Sequence, residues 1–192
     1  MSNFWSNQKV APKRSYRFMV EIGGQAVWWA KQVSTPSFDV GEIEHSFLGG
    51  KYYFPGKVSW TEVSMTLVDP VSPDAVGFTN SLLAASGYII PNLALDEAQM
   101  STIDKVKSID ATDELNVNII VINANGVEIE KWTLNQAFLK SAKFGDLSYE
   151  DENLRTVELT WRYDWASCEF DAAHPDENLR TKSFFGLGAS AA

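Results

Sequence analysis

Apolar and polar residues alternate along most of this chain with a period of two, the pattern of strands that bury one face. Tyr16, Phe18, Val20 and Ile22 alternate with Arg17, Met19 and Glu21. Gly23-Gly24 then offers a turn with positive φ before residues 26–33 run back, which predicts a first hairpin. Val63, Met65 and Leu67 alternate with Glu62, Ser64 and Thr66 up to Asp69-Pro70. Residues 115–122 lead to Asn125-Gly126, the pair preferred in a type I′ turn, and the chain continues as a strand over 127–134. The clearest alternation sets Val157, Leu159, Trp161, Tyr163 and Trp165 against Thr156, Glu158, Thr160, Arg162 and Asp164, after a turn-like stretch at 150–153. It predicts a strand that places three aromatic rings in a core.

Three segments depart from this period. Ser72 followed by Pro73 and Asp74 reads as an N-cap, a first helical position and an acid beside the positive end of the helix dipole. Ala75, Phe78, Leu82 and Ala85 share one face of that helix, and Gly87 is placed to end it in a left-handed cap. Residues 91–112 show neither period and read as an insertion, partly helical over 96–106. Residues 40–57 (VGEIEHSFLGGKYYFPGK) have strand-like ends around two glycine-containing turns and carry Phe47, Leu48, Tyr52, Tyr53 and Phe54, too long a stretch for a tight turn. Either these rings fold back as a cap on the core or they form an extended arm that another chain covers.

A chain of 192 residues suggests one domain with arms rather than two domains. With 45% hydrophobic residues, 7 Trp, 11 Phe and 6 Tyr, it can bury a real core. The net charge of −9 argues against a surface that holds phosphates tightly. Cys168 is the single cysteine, which excludes an intramolecular disulfide and fits a reducing compartment. The N-terminus lacks the apolar stretch of a secretory signal, and no run approaches the roughly 18 apolar residues of a membrane helix, so a soluble protein made in the cytoplasm is expected.

Charge is unevenly spread. Residues 1–17 hold Lys9, Lys13, Arg14 and Arg17 and no acid, a balance of +4, whereas residues 146–177 hold ten acids against Arg155 and Arg162, a balance of −8. Both ends can be plain solvated surface. Alternatively, Lys13, Arg14 and Arg17 of one copy meet Asp151, Glu152 and their neighbours in the next copy, head to tail.

Recognisable reaction chemistry is missing from the sequence, and no enzyme, metal site or cofactor is expected. His45 and His174 have no metal-ligand spacing and read as surface histidines, and Cys168 lacks a nearby cation or helix N-terminus to lower its pKa. The glycine pairs join strand to strand, unlike phosphate loops, and the acids at 150–152 lack the pattern of a calcium loop. The hexapeptide DENLRT occurs at 151–156 and again at 176–181, without a continuing period.

RFMVEI at 17–22, KQVSTPSF at 31–38, EIEHSFLGGKYYFPGKVSWTEVSMTLVDP at 42–70 and LNQAFLKSAKFGDLSYEDENLRTVELTWRYDW at 134–165 resemble, in order and spacing, the tail tube proteins of contractile-tailed bacteriophages of the T-even type. The resemblance implies a mainly β fold, a sandwich or barrel of two packed antiparallel sheets with one flanking helix and a long hairpin arm. It divides the chain into an N-terminal arm at 1–15, a tube domain at 16–165 and an extension at 166–192. It implies hexameric rings stacked into a hollow tube inside a contractile sheath, in contact with baseplate and tail terminator proteins, in a virion tail assembled in the host cytoplasm. Genomic DNA would pass through the lumen without specific binding, and no membrane partner is implied. Residues 40–57 correspond to the hairpin that touches neighbouring subunits, and Glu42, Glu44 and Glu62 become candidates for the lumen wall. A baseplate tube-initiator or a type VI secretion tube subunit would share this fold. From a different class, a monomeric carbohydrate-binding sandwich would use Trp28, Trp29 and Trp60 as a sugar-stacking face.

Overall fold

The computed structural model describes residues 12–88, 116–150, 152–172, 174 and 176–185. The expected insertion at 91–112 and Asp151 lie outside them. The described residues form twelve strands and one helix. In chain order these are β1 (Phe18–Ile22), β2 (Gln25–Ala26), β3 (Ala30–Val33), β4 (Phe38–Phe47), β5 (Gly50–Trp60), β6 (Val63–Val68), α1 (Ala75–Ala85), β7 (Val117–Ile122), β8 (Glu128–Asn135), β9 (Phe138–Lys143), β10 (Thr156–Arg162), β11 (Trp165–Phe170) and β12 (Ser183–Phe184).

Two antiparallel sheets pack face to face, one of six strands in the order β12-β11-β8-β7-β1-β2 and one of four in the order β3-β6-β10-β9. The alternating residues do what their period demands. Val63, Met65 and Leu67 of β6 meet Val157, Leu159 and Trp161 of β10 across the four-stranded sheet, all at 0–1% exposure, and Val20, Ile22, Val117, Ile119 and Leu134 bury the opposing face. The mainly β sandwich with a flanking helix is therefore the observed fold.

Several local expectations are corrected. Residues 26–33 do not run back along β1. Only Gln25 and Ala26 pair with it, Val27 donates its N–H to the Val20 carbonyl at 2.7 Å, and the chain crosses to the other sheet, where β3 pairs with β6. Buried Val27 and the half-buried Trp29 ring, edge-on to Phe78 of α1, make that crossing more favourable than a longer hairpin. Residues 124–126 form a three-residue loop rather than a type I′ pair, because the Asn123 Oδ1 accepts the N–H groups of Asn125 and Val127 at 2.8 and 3.0 Å and only Gly126 takes positive φ.

The N-cap of α1 is Asp74, not Ser72. Its carboxylate accepts the Gly77 N–H at 2.8 Å, so Pro73 lies outside the helix. Ala75, Thr79, Leu82 and Ser86 form the buried stripe, with Phe78 half-buried and Ala85 exposed. Gly87 does close the helix, with φ 91. Of the three rings expected inside, Trp161 and Tyr163 are buried, whereas Trp165 opens β11 after the turn at Asp164 and is half-buried. Residues 166–170, expected in the extension, belong to β11, with Ala166 and Cys168 buried against β8.

Candidate functional site

Strands β4 and β5 leave the body as a separate two-stranded sheet, closed by a turn at Leu48-Gly49 in which both residues have positive φ, 46 and 81. Such a two-residue turn matches the twist of the flanking strands. Glycine takes that conformation freely, but a leucine pays roughly 1–2 kcal/mol for it. Leu48 nonetheless sits there 90% exposed.

The register shows how the arm distributes its rings. Phe38 pairs with Trp60 and Val40 with Val58, on one face near the base. Val40 to Glu42 is two steps on β4 while Val58 to Pro55 is three on β5, so β5 carries one extra residue opposite Gly41, a bulge. Gly56 suits the close approach there, since a Cβ would stand 3.0 Å from the Gly41 carbonyl oxygen and push the two strands apart by a few tenths of an ångström. Beyond the bulge the apolar pairs lie on the other face, with Ile43 opposite Phe54 and His45 opposite Tyr52 beside Phe47. Glu42, Glu44, Ser46, Lys51 and Tyr53 occupy the first face, where Lys51 Nζ reaches Glu44 Oε1 at 2.9 Å.

The base is covered by the chain itself. Phe185 stands 6.1 Å from Phe38 and 5.7 Å from Trp60, both edge to face, and Trp60 also meets Tyr163. The tip is covered by nothing among the described residues. Ile43, Phe47, Tyr52, Tyr53 and Phe54 are each 54–62% exposed. The cap-on-the-core alternative for 40–57 is thereby removed.

The other expected site residues are dispersed. Phe47, Tyr52 and Phe54 share the apolar tip face, Tyr53 lies on the opposite face with Glu42 and Glu44, and Leu48 forms the turn. Glu62 is away from them on the outer face of the four-stranded sheet, paired with Lys140 and with Arg162 Nη1 at 3.8 Å, which neutralise it. Lys13 is bound within its own chain to Glu130, which also accepts the Trp132 Nε1 proton at 2.5 Å, and the ammonium stands 5.8 Å from the Phe170 ring. Arg14 is exposed, Arg17 lies over Tyr16 at 5.5 Å, and Glu152 is exposed.

His45 is on the arm surface as expected, but His174 is buried at 7% exposure. Its Nδ1 accepts the Asp176 N–H at 3.1 Å and its ring stands edge to face on Phe170, which makes it part of the fold of the C-terminal segment. In the two DENLRT copies, Arg155 Nε donates to the Phe144 carbonyl at 3.2 Å and Arg180 Nε to the His174 carbonyl at 2.9 Å, so each arginine ties down a preceding loop. The copies differ in backbone, residues 152–155 running as an open loop into β10 at Thr156 while 177–181 form turns that end at Thr181 with φ 58. Burial, with Glu130 nearby, pushes the Cys168 thiol up to about 12, which makes it unreactive. Trp28 stands edge-on to Trp29, which stands edge-on to Phe78, and Trp60 belongs to another cluster, so the three do not form a sugar platform.

Sequence reasoning missed Ile43 and the Phe38, Trp60 and Phe185 cluster. The three-residue step from Val40 to Ile43, where alternation should give two, was the available signal for the change of face.

No protein-family model and no curated protein matches the sequence. Solved structures do match in fold. The chain is similar to a chain in the structure of the anti-feeding prophage tube-terminating cap, with a TM-score of 0.61 at 15% identity over 84% of this chain and 93% of that one. It is similar to a chain in the structure of the sheath/tube terminator of an extracellular contractile injection system, PVC, in the extended state, with a TM-score of 0.60 at 17% identity over 83% and 98%. A chain of the six-fold symmetrised anti-feeding prophage baseplate gives 0.58 at 18% identity over 83% and 96%. The fold is thus one that recurs in contractile injection systems, and none of these similarities is to a T-even phage protein.

Proposed function

We propose that this chain is a structural subunit of the tube of a contractile injection apparatus, in which six copies join through their arms into a ring and rings stack around a conduit. The arm carries this reading. Its tip exposes an apolar face that no described residue covers, on a body whose fold recurs in chains of tube-terminator and baseplate structures of such machines. Large exposed apolar patches mark interaction surfaces, and a heterologous contact repeated around an axis closes rings or extends filaments.

The outer face of the four-stranded sheet suits the conduit wall. It presents Ser64, Thr66, Thr160 and Ser141 between paired charges, Glu62 with Lys140 and Arg162, and Glu158 with Lys143 at 3.8 Å. A hydroxyl-rich wall whose two acids are both paired and whose balance is only +1 offers cargo few strong anchors. Genomic DNA is the cargo that the T-even resemblance implies, with sheath and baseplate as partners. Ring stacking then draws on Arg14 and Arg17 against Glu152 and its acidic neighbours, since Lys13 is already paired, and it weakens as salt rises because exposed charges are screened beyond about 8 Å.

A second reading within this class is a tube-terminating cap, favoured by the two terminator structures among the neighbours. Negative-stain imaging of the purified protein separates them. Stacked tubes are expected for the tube subunit and single rings for the cap, while monomers at every concentration would overturn both. Deleting residues 46–54 is expected to leave a folded monomer that forms neither.

A further inference from the structure

The sandwich is open at one end. There a groove of about 1160 Å³ separates β3 of the four-stranded sheet from the ends of β1, β7 and β8 in the six-stranded one. Its floor is an extension of the core, with Phe18 paired to Val121 and Ile119 paired to Val20 on the inner side of one sheet, and Val33 beside Met65 on the other. Arg14, Arg17 and Lys31 stand on its rim, and Lys13 is the rim cation already matched by Glu130. The chain's own arm is exposed along both strands and does not fill it.

We propose that this groove receives the tip of the arm of a second copy, with Ile43, His45, Phe47, Tyr52 and Phe54 against its floor. This extends the tube reading and rests on it. Three observations select a second copy as the occupant. The first is area. Aromatic side chains carry roughly 150–250 Å² each, so a half-exposed tip face offers on the order of 500 Å², and two matched surfaces reach the roughly 1,000 Å² that a specific interface needs. The second is charge. Arg14, Arg17 and Lys31 give the rim an excess of +3 once Lys13 is paired with Glu130, whereas the back of the tip, with Glu42 and Glu44 against Lys51, carries −1. The third is topology. Arm and groove are different surfaces of one chain, and Ser37, on the groove wall, is the residue before the chain's own arm begins. Each copy therefore receives one arm beside the root of the one it gives, a contact that propagates from copy to copy.

Cysteine pairing tests this. Chains carrying His45→Cys or Phe47→Cys are mixed in equal amounts with chains carrying Lys31→Cys or Gln32→Cys and oxidised, giving four pairings. Val71→Cys, on an exposed turn outside the groove, serves as the control partner. The native Cys168 does not compete, being buried. A disulfide needs Cα atoms about 4.4–6.8 Å apart, so only seated arms bridge. The expected result is a mixed dimer on a non-reducing gel for at least one groove pairing, at least about tenfold above the Val71→Cys control. Rings or tubes of native protein with no mixed dimer from any pairing would overturn the groove and leave the tube reading standing. Mixed dimers from a native chain that forms no ring would do the reverse. Neither product would remove both.

Discussion

Strand β10 and the arm are built from the same alternation of apolar and polar residues, yet they end in opposite environments. Val157, Leu159 and Trp161 are fully buried, while Tyr52 and Phe54 are more than half exposed. The difference lies in what stands opposite. β10 is flanked by β6 and β9 and faces a second sheet, whereas β4 and β5 pair only with each other. Alternation reports that one face of a strand is meant to be covered; it does not report which molecule covers it. Stability resides in the first region, and association is expected to reside in the second.

That division can be broken at its strongest point. Trp161→Ala removes the largest buried side chain and is expected to cost about 3–5 kcal/mol in denaturant unfolding, with no direct effect on the arm. Asp69→Ala comes next. Its Oδ1 accepts the Ala75 N–H at 3.1 Å and its Oδ2 pairs with Arg155 Nη1 at 3.2 Å, joining the end of β6 to the start of α1 and of β10. A loss of about 2 kcal/mol is expected, because the exposed Arg155 can return to water while the helix N–H cannot. Leu48→Gly is expected to act with opposite signs. It relieves a strained turn and raises the unfolding free energy by about 1 kcal/mol, while removing an exposed leucine from the tip and reducing the yield of assemblies by sedimentation. Phe54→Ala sharpens the comparison most cleanly, with stability unchanged within about 0.5 kcal/mol and assembly lost. An unfolding penalty at Phe54 as large as at Trp161 would show that the arm belongs to the core after all.

The residues that were legible in the sequence are those whose neighbours in sequence decide their fate. The alternations at 63–67 and 157–161 are set by backbone pleat and need no knowledge of partners, and Gly87 ends a helix because of its own φ. The crossing of β3 to the other sheet was not legible, since it depends on Trp29 meeting Phe78, about fifty residues away. Nor was the neutralisation of Glu62, whose partners come from β9 and β10. His174 looked like a surface residue because its neighbours are polar, but Phe170 and the Asp176 amide enclose it. The groove is the extreme case, being a gap between two sheets rather than a property of any segment. The arm stood between these cases, with its length visible and its covered side not. On β5 the apolar residues Trp60, Val58, Phe54 and Tyr52 keep even spacing, while β4 slips phase between Val40 and Ile43, and the extra residue on β5 is what reconciles the two strands.

The bulge opposite Gly41 also divides the chain by what each part answers to. Substitutions inward of it disturb Phe185 and the core and are removed by misfolding. Substitutions on the apolar tip face outward of it are expected to leave the core intact and, in the proposed assembly, to be judged by whether another copy still fits. Two variants of this chain that differ at the tip and in the surface receiving it could then be produced in one cell and sort into separate assemblies, with the body of the molecule unchanged.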